Sequence, residues 1–167
     1  YNRADLDAND IVYPPSFWND FESLMPALVK KDEAGKIIKS PVSLGQFSNI
    51  LYAKQILTTL FMQLGNPIIY EKDGQFFSAL GLNTNYNLAS VLRFYTNFSD
   101  PLNTLYSWNR SFKNSRDEFS AERLTFYFGF ASELKILVNK NPNQNFFVAP
   151  MPQVKNSNSK LTYANVT

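Results

Sequence analysis

Cysteine and histidine are both missing from the 167 residues. Without a thiol or an imidazole, the common zinc ligand sets fall away, and so does a hydrolytic triad of the serine–histidine kind. The lack of cysteine leaves the compartment open, because disulfide-free proteins occur on both sides of a membrane. Charge of one sign is also missing: Lys and Arg exceed Asp and Glu by a net +2, and the charges are scattered. Neither the balance nor the clustering marks a nucleic-acid groove. No apolar run reaches the roughly 18 residues a membrane helix needs, and no signal-peptide pattern is present. Glycine is scarce, at six. The turns Ser43-Leu44-Gly45-Gln46 and Gly129-Phe130-Ala131-Ser132 match neither a phosphate loop nor a dinucleotide fingerprint. The chain begins at Tyr1 rather than at a methionine, and we expect it to be a piece of a longer protein.

What the sequence does have is aromatic side chains: fifteen Phe, nine Tyr and two Trp in a chain that is 44% hydrophobic. That apolar content excludes disorder and supports one domain with a real core. The unit that organises the reading is 123–153. Leu124, Phe126 and Phe128 alternate with Thr125 and Tyr127 as a strand does, and Gly129 breaks the run. Ser132 and Glu133 suit a helix start, Leu134, Leu137 and Val138 have helical apolar spacing, and Asn141-Pro142 stops the helix. Extended residues follow from Phe146 to Met151. A strand that turns through glycine into a helix leaves backbone N–H groups at the strand's carboxyl end, the edge where open α/β folds tend to bind ligands.

Upstream, Tyr13-Pro14-Pro15-Ser16 predicts a turn and cap. A helix then runs to about Lys31, burying Phe17, Phe21, Leu24, Met25 and Leu28, with Lys30 and Lys31 at its dipole's negative end. Val42 to Gly45 reads as a strand. A helix over 48–64 puts Ile50, Ala53, Leu57, Leu60, Phe61 and Leu64 on one face, and Asp73-Gly74 marks a hairpin between 68–70 and 75–78. A helix over 86–98 follows, then an irregular aromatic stretch to Asn109. A short helix over 115–121 has Ser115 as cap and Glu118 three residues on, as in a capping box. The segment 155–160 is a polar loop, and 161–165 suits a last strand.

Three acids, Asp117, Glu118 and Glu122, form the best local cluster for acid–base work, but their polar setting fits solvated helix faces better than a tuned site. Phe17, Phe21, Phe61 and Phe98 lie on apolar helix faces and are expected in the core. By contrast Phe47, Tyr106, Trp108, Tyr127 and Phe130 stand beside Gly, Ser or Asn at turns, where a flat ring flanked by amides can hold a polar ligand such as a sugar. Asn97, Asn109 and Asn165 lie in Asn-x-Ser/Thr triplets, which an Asn-rich chain produces by chance.

Taken in order, four segments resemble the family 1 extracellular solute-binding proteins, the receptors of bacterial ATP-binding-cassette importers. Tyr1-Asn2-Arg3 with Pro14-Pro15-Ser16-Phe17-Trp18 resembles the "YN-R, then PP-x-TW" opening of the second lobe. Val42-Ser43-Leu44-Gly45 resembles the "ALG" strand. Phe119 to Phe126 resembles the "F-x-x-G-x-x-A-M" segment, and Phe146-Phe147-Val148-Ala149-Pro150-Met151-Pro152-Gln153 resembles the "F-x-V-x-P-L-P" return strand.

The resemblance implies an α/β fold, a helix-rich single lobe of the periplasmic-binding-protein-like type II kind with a small central sheet flanked by helices. Residues 1–153 would be the carboxy-terminal-type lobe, and 154–167 a polar loop and strand leading back to an amino-terminal lobe outside this chain. It implies an extracellular or periplasmic receptor, lipid-anchored through a leader, that holds a small polar solute, a carbohydrate foremost, and delivers it to a membrane permease. Catalysis, metal, cofactor and nucleic acid are not implied. Ligand contacts carry over to Gln46, Phe47, Ser48 and Asn49 after the "ALG" strand, and to Phe130 after the glycine. Trp108, Tyr127, Gly129 and Ser132 complete the expected set. The chain departs from the pattern where Ala121-Glu122-Arg123 replaces small-Gly-basic and where Gly129-Phe130-Ala131 replaces Gly-Pro-Trp or Gly-Ser-Trp. Phe offers less stacking surface than Trp, which argues against a long oligosaccharide. A lectin-like surface module is the alternative, and a glycosidase a further one that would need two carboxylates facing one cleft.

Overall fold

The structure is a computed structural model that describes residues 1–80, 88–155, 157 and 160–164. The expected helix start at Tyr86, the loop residues Asn156, Asn158 and Ser159, and Asn165 lie outside the described residues. The fold is mixed α/β, a small sheet flanked by helices. Helix α1 (Arg3–Asp7) is followed by α2 (Trp18–Leu28), strands β1 (Lys30–Lys31) and β2 (Ile37–Val42), and α3 (Ala53–Gln63). Next come the strands β3 (Ile69–Lys72) and β4 (Gln75–Ser78), then helices α4 (Leu88–Asn97) and α5 (Ser115–Ser120). Strand β5 (Leu124–Phe126) leads through a 3₁₀ turn (Ala131–Glu133) into α6 (Leu134–Lys140).

The sheet has the order β1-β2-β5. Its inner pairing is parallel, with Ser40 opposite Leu124 and Val42 opposite Phe126, whereas β1 joins β2 antiparallel. All three residues of β5 are buried, as expected of a strand covered on both faces. Helix α2 packs on β2 and α5 on β5, so that Phe21, Met25, Val42, Phe119 and Leu124 share one core. The edge of Phe126 meets Phe21 at 5.1 Å. Each such ring contributes about 1.5–3 kcal/mol through burial alone.

Several local expectations change, the first being that the strand expected over Val42 to Gly45 runs instead over Ile37–Val42. Helix α2 is capped not by Ser16 but by the Asp20 carboxylate, which accepts from the Phe17 N–H at 3.0 Å, and the ring it buries is Trp18 while Phe17 stays exposed. The helix ends at Leu28, two residues after Pro26, whose ring nitrogen carries no hydrogen to donate, and Lys30-Lys31 form β1 instead of a helix end. In α3 the buried face is Ala53, Ile56, Thr59, Leu60 and Gln63, because buried Gln63 accepts from the Trp18 indole at 2.7 Å and donates to the carbonyls of Pro152 at 3.0 Å and Leu161 at 2.8 Å. In α5 the cap is Asn114, which accepts from the Asp117 N–H at 3.0 Å, not Ser115.

The remaining pieces bring the return segment home. Residues 146–153 form no strand, only isolated bridges at Asn2–Phe146 and Phe17–Gln153. Residues 161–164 are likewise not a strand, and Leu161 is tied by its N–H to the Gln153 side chain at 2.9 Å. In α6 only Leu137 is buried, while Leu134 and Val138 face outward. The Asp73-Gly74 turn closes the β3–β4 hairpin as predicted, both residues having positive φ, 52° and 73°.

Candidate functional site

The nine residues proposed from sequence fall into two places. The first is the loop after β2. Gly45 has φ of 90°, and a Cβ there would come 2.7 Å from the backbone nitrogen of Ser99, so only glycine fits. The Ser99 hydroxyl donates to the Gly45 carbonyl at 2.9 Å, and the Tyr95 hydroxyl donates to the Gln46 carbonyl at 2.6 Å. Burial pushes the Tyr95 phenol well above its ordinary value, which keeps it a donor. Gln46 also accepts from Arg110 Nε at 3.3 Å. On this fixed loop Phe47 is 68% exposed, and Ser48 points to solvent beside it.

Asn49 and Trp108 correct the expectation most clearly. Asn49 uses its whole amide: it accepts from the Trp108 indole N–H at 3.0 Å and donates to the carbonyls of Asn109 and Phe112. Trp108 is fully buried and stacks on Phe112 at 4.5 Å with the planes 9° apart. It has no face to offer a ligand, because its place in the core is fixed by a partner 59 positions away that no local pattern reveals.

The second place is the Gly129 turn at the carboxyl end of β5. Gly129 and Phe130 line a shallow groove of about 60 Å³ together with Tyr52, Gln55, Ile56, Thr59, Phe128, Met151, Thr162 and Tyr163. Small-molecule pockets more often enclose about 300–1,000 Å³, so this groove is small and open rather than an enclosed cavity. Phe130 stands edge-on to Tyr52 at 4.8 Å and to Tyr163 at 5.9 Å. Phe128 roots the groove in the core, 5.4 Å from Trp18. None of the ten lining residues carries a formal charge. A second hollow, of about 250 Å³, lies between Arg3, Asp7, Asp10, Ile11 and Val12, but Arg3 and Asp7 are committed to each other there.

Behind Gly129 lies Glu133, buried and fully engaged. It accepts from the Tyr127 hydroxyl at 3.0 and 3.1 Å, from Arg116 at 3.0 Å and from the Phe130 N–H at 3.2 Å. Burial first, then the Glu133 charge, raises the Tyr127 phenol far above its ordinary value, and the same two causes raise Tyr52 less. The expected open N–H of this turn is therefore satisfied from within the protein. Tyr127 is turned inward toward that carboxylate, and Ser132 is exposed on the 3₁₀ turn outside the groove lining.

The acids considered for catalysis are also engaged. Asp117 pairs with Lys140, whose hydrogen bond is the main reason its carboxyl is held below the ordinary value. Glu118 is buried and accepts from Arg123 at 2.6 Å and from the Lys113 N–H at 2.9 Å. Glu122 accepts from Asn141 at 3.3 Å.

Sequence reasoning missed Tyr52, Gln55, Thr59, Met151, Thr162 and Tyr163. A signal existed for the first three, since Tyr52, Gln55, Ile56 and Thr59 follow the i, i+3, i+4, i+7 spacing of one helix face. Compared with protein-family models, curated proteins and solved structures, the chain matches none of them.

Proposed function

We propose that this chain is the carboxy-terminal-type lobe of an exported two-lobed solute receptor, whose ligand is held between the Gly129–Phe130 groove and a second lobe. The observation that carries this reading is that the glycine–aromatic turn singled out by the resemblance lines the groove, flanked by Tyr52 and Tyr163 and by the polar groups of Gln55, Thr59 and Thr162. Rings alternating with amides and hydroxyls suit a small polar solute, and a lining without formal charge favours a neutral one, carbohydrate before peptide or phosphate. The groove's shallowness fits a half-site that a second lobe completes by hinge closure.

The departure from the family pattern at Glu122 also supports the reading. That residue has φ of 58°, and the C″ and C′ amides, Arg123 and Glu122, donate to the carbonyls of Glu118 and Phe119 at 2.9 and 3.0 Å. This is a Schellman ending of α5, at the position where the pattern carries glycine. As such a receptor, the protein would act outside the cytoplasm, anchored by lipid, and would pass its solute to an importer permease. Isothermal titration of the receptor containing this chain against neutral sugars and peptides tests the proposal. A neutral sugar is expected to bind, and the isolated chain to bind it more weakly because half the contacts are lost. A folded protein silent to the whole panel would overturn the reading.

A second reading, a surface interaction module, draws on one observation, the exposure of Phe47 on a loop fixed by Tyr95 and Ser99. Under it Phe47→Ala abolishes binding and Phe130→Ala does not. The receptor reading expects Phe130→Ala to abolish binding.

A further inference from the structure

We propose that Glu133 is the positioning residue of the Gly129–Phe130 groove, holding its aromatic walls from behind without touching the ligand. The inference rests on that groove being the binding site, but its mechanical content does not. Three residues donate to the one carboxylate: Tyr127 from the end of the β5 strand run, Arg116 from α5, and Phe130 through its backbone N–H in the turn itself. The Tyr52 phenol, on the residue that precedes α3, feels the same charge. A carboxylate is the one side chain of this length that only accepts, and a carboxamide in its place would turn an NH₂ toward those donors.

The steric fit is equally close. A Cβ on Gly129 would stand 2.5 Å from Glu133 Oε2 and 2.5 Å from the Tyr127 ring, so the turn has glycine because the carboxylate presses against it. The φ of Gly129 is not left-handed, and the requirement is one of space. Phe130, whose backbone N–H donates to Glu133, meets the Tyr52 ring edge-on at 4.8 Å across the groove. Arg116 adds a dependence in the other direction. Its Nε is buried without a hydrogen-bond partner and its ion pair among the described residues is with Glu133, so loss of that anion leaves a partly exposed guanidinium facing the Tyr127 and Tyr52 phenols.

The test uses the full chain with a reporter, Phe130→Trp, read by emission wavelength and iodide quenching. The native tryptophans, Trp18 and Trp108, are buried and contribute a quiet background. Adding Glu133→Gln is expected to shift the reporter's emission to longer wavelength and to raise its quenching constant while far-UV circular dichroism stays unchanged. In the chain without the reporter, Glu133→Gln is expected to move the ionisation of Tyr127 and Tyr52, followed at 295 nm, to lower pH, since the carboxylate charge that adds to burial in raising both phenols is gone while Arg116 remains. A reporter and a tyrosine titration both unmoved by Glu133→Gln would overturn the proposal. Should Glu133→Gln fail to fold, Tyr127→Phe takes its place. A reporter shift in that variant supports the positioning role, and an unmoved reporter overturns it.

Glucose, maltose and cellobiose added to the same proteins separate the two ideas. If none binds the parent chain or the receptor containing it, yet the reporter moves, the solute reading fails and the positioning role stands. If one binds, Glu133→Gln is expected to weaken it about tenfold, the loss of roughly one hydrogen bond's worth of order. Equal binding with an unmoved reporter leaves the solute reading intact and overturns the role given to Glu133.

Discussion

Trp108 and Asn49 hold each other: the indole N–H donates to Asn49 Oδ1 at 3.0 Å, while the other end of that amide donates to the carbonyls of Asn109 at 2.9 Å and Phe112 at 3.1 Å. One side chain thereby joins the loop after β2 to the loop before α5. Asn49→Ala removes all three bonds and is expected to cost about 2–3 kcal/mol in urea unfolding. Trp108→Phe keeps a ring against Phe112 and is expected to cost about 1–2 kcal/mol, the indole's bond and part of its volume. Neither substitution should alter binding in the Gly129–Phe130 groove, which titration of the same variants would check.

The loop beside that junction depends on glycine. Gly45→Ala meets both a φ of 90° and a Cβ placed 2.7 Å from the Ser99 backbone, so it is expected to destabilise by about 2 kcal/mol or more. A stability equal to that of the parent chain would show that the loop relaxes freely.

Glu122 presents the opposite case. Its φ of 58° sits at the C′ position of α5 with no steric demand for a long side chain, and its contact with Asn141 is a long 3.3 Å. Glu122→Gly is expected to stabilise by roughly 0.5 kcal/mol, the relief of left-handed strain exceeding the added chain entropy. A small rise in thermal midpoint would be the readout.

Gln63 links three parts of the molecule, and Gln63→Leu is expected to lose about 2–4 kcal/mol as the Trp18 N–H and the Pro152 and Leu161 carbonyls lose their partner. Hydrogen exchange should accelerate at 160–164 more than in α3. Uniform acceleration would mean that the tail is held by other contacts.

Acid stability provides one pH prediction. The Asp117 carboxyl is held below its ordinary 3.8, chiefly by the hydrogen bond from Lys140 and then by that charge and Asn114, so the folded state binds its proton later than the unfolded one. Its contribution is present above 3.8 and is lost as the pH falls below that value. Because both partners are well exposed, the effect is small and weakened by salt. Asp117→Asn should flatten the acid end of the stability curve at low ionic strength and leave the neutral region nearly unchanged.

The β3–β4 hairpin was legible because the Asp73-Gly74 turn encodes itself, and the helices α2, α4 and α6 were legible from local apolar spacing, although in α6 that spacing marks only Leu137 of the buried face. The Gly129–Phe130 turn was legible as a chain break between two periodicities. Trp108 was misread because a tryptophan beside serine and asparagine looks the same whether a distant amide draws it inward or a ligand draws it outward. Tyr52, Gln55 and Thr59 were passed over because their helix face is polar, and a polar face reads as solvated until another segment is brought against it. Tyr163 belongs to a stretch without periodicity, and the Leu161 backbone bonds to Gln63 and Gln153 place it there.

The parallel pairing of Ser40 with Leu124 and Val42 with Phe126 joins strands from opposite halves of the chain, with α3, the hairpin, α4 and α5 threaded between them. During synthesis β2 can take β1 as a neighbour almost at once, but its inner edge stays open until β5 has emerged. Closing so long a loop costs entropy before any sheet contact returns it, and slow assembly exposes an unpaired apolar edge to other chains. This high contact order places the kinetic hazard of the protein in the interval between those two strands, where a nascent-chain chaperone would be most needed.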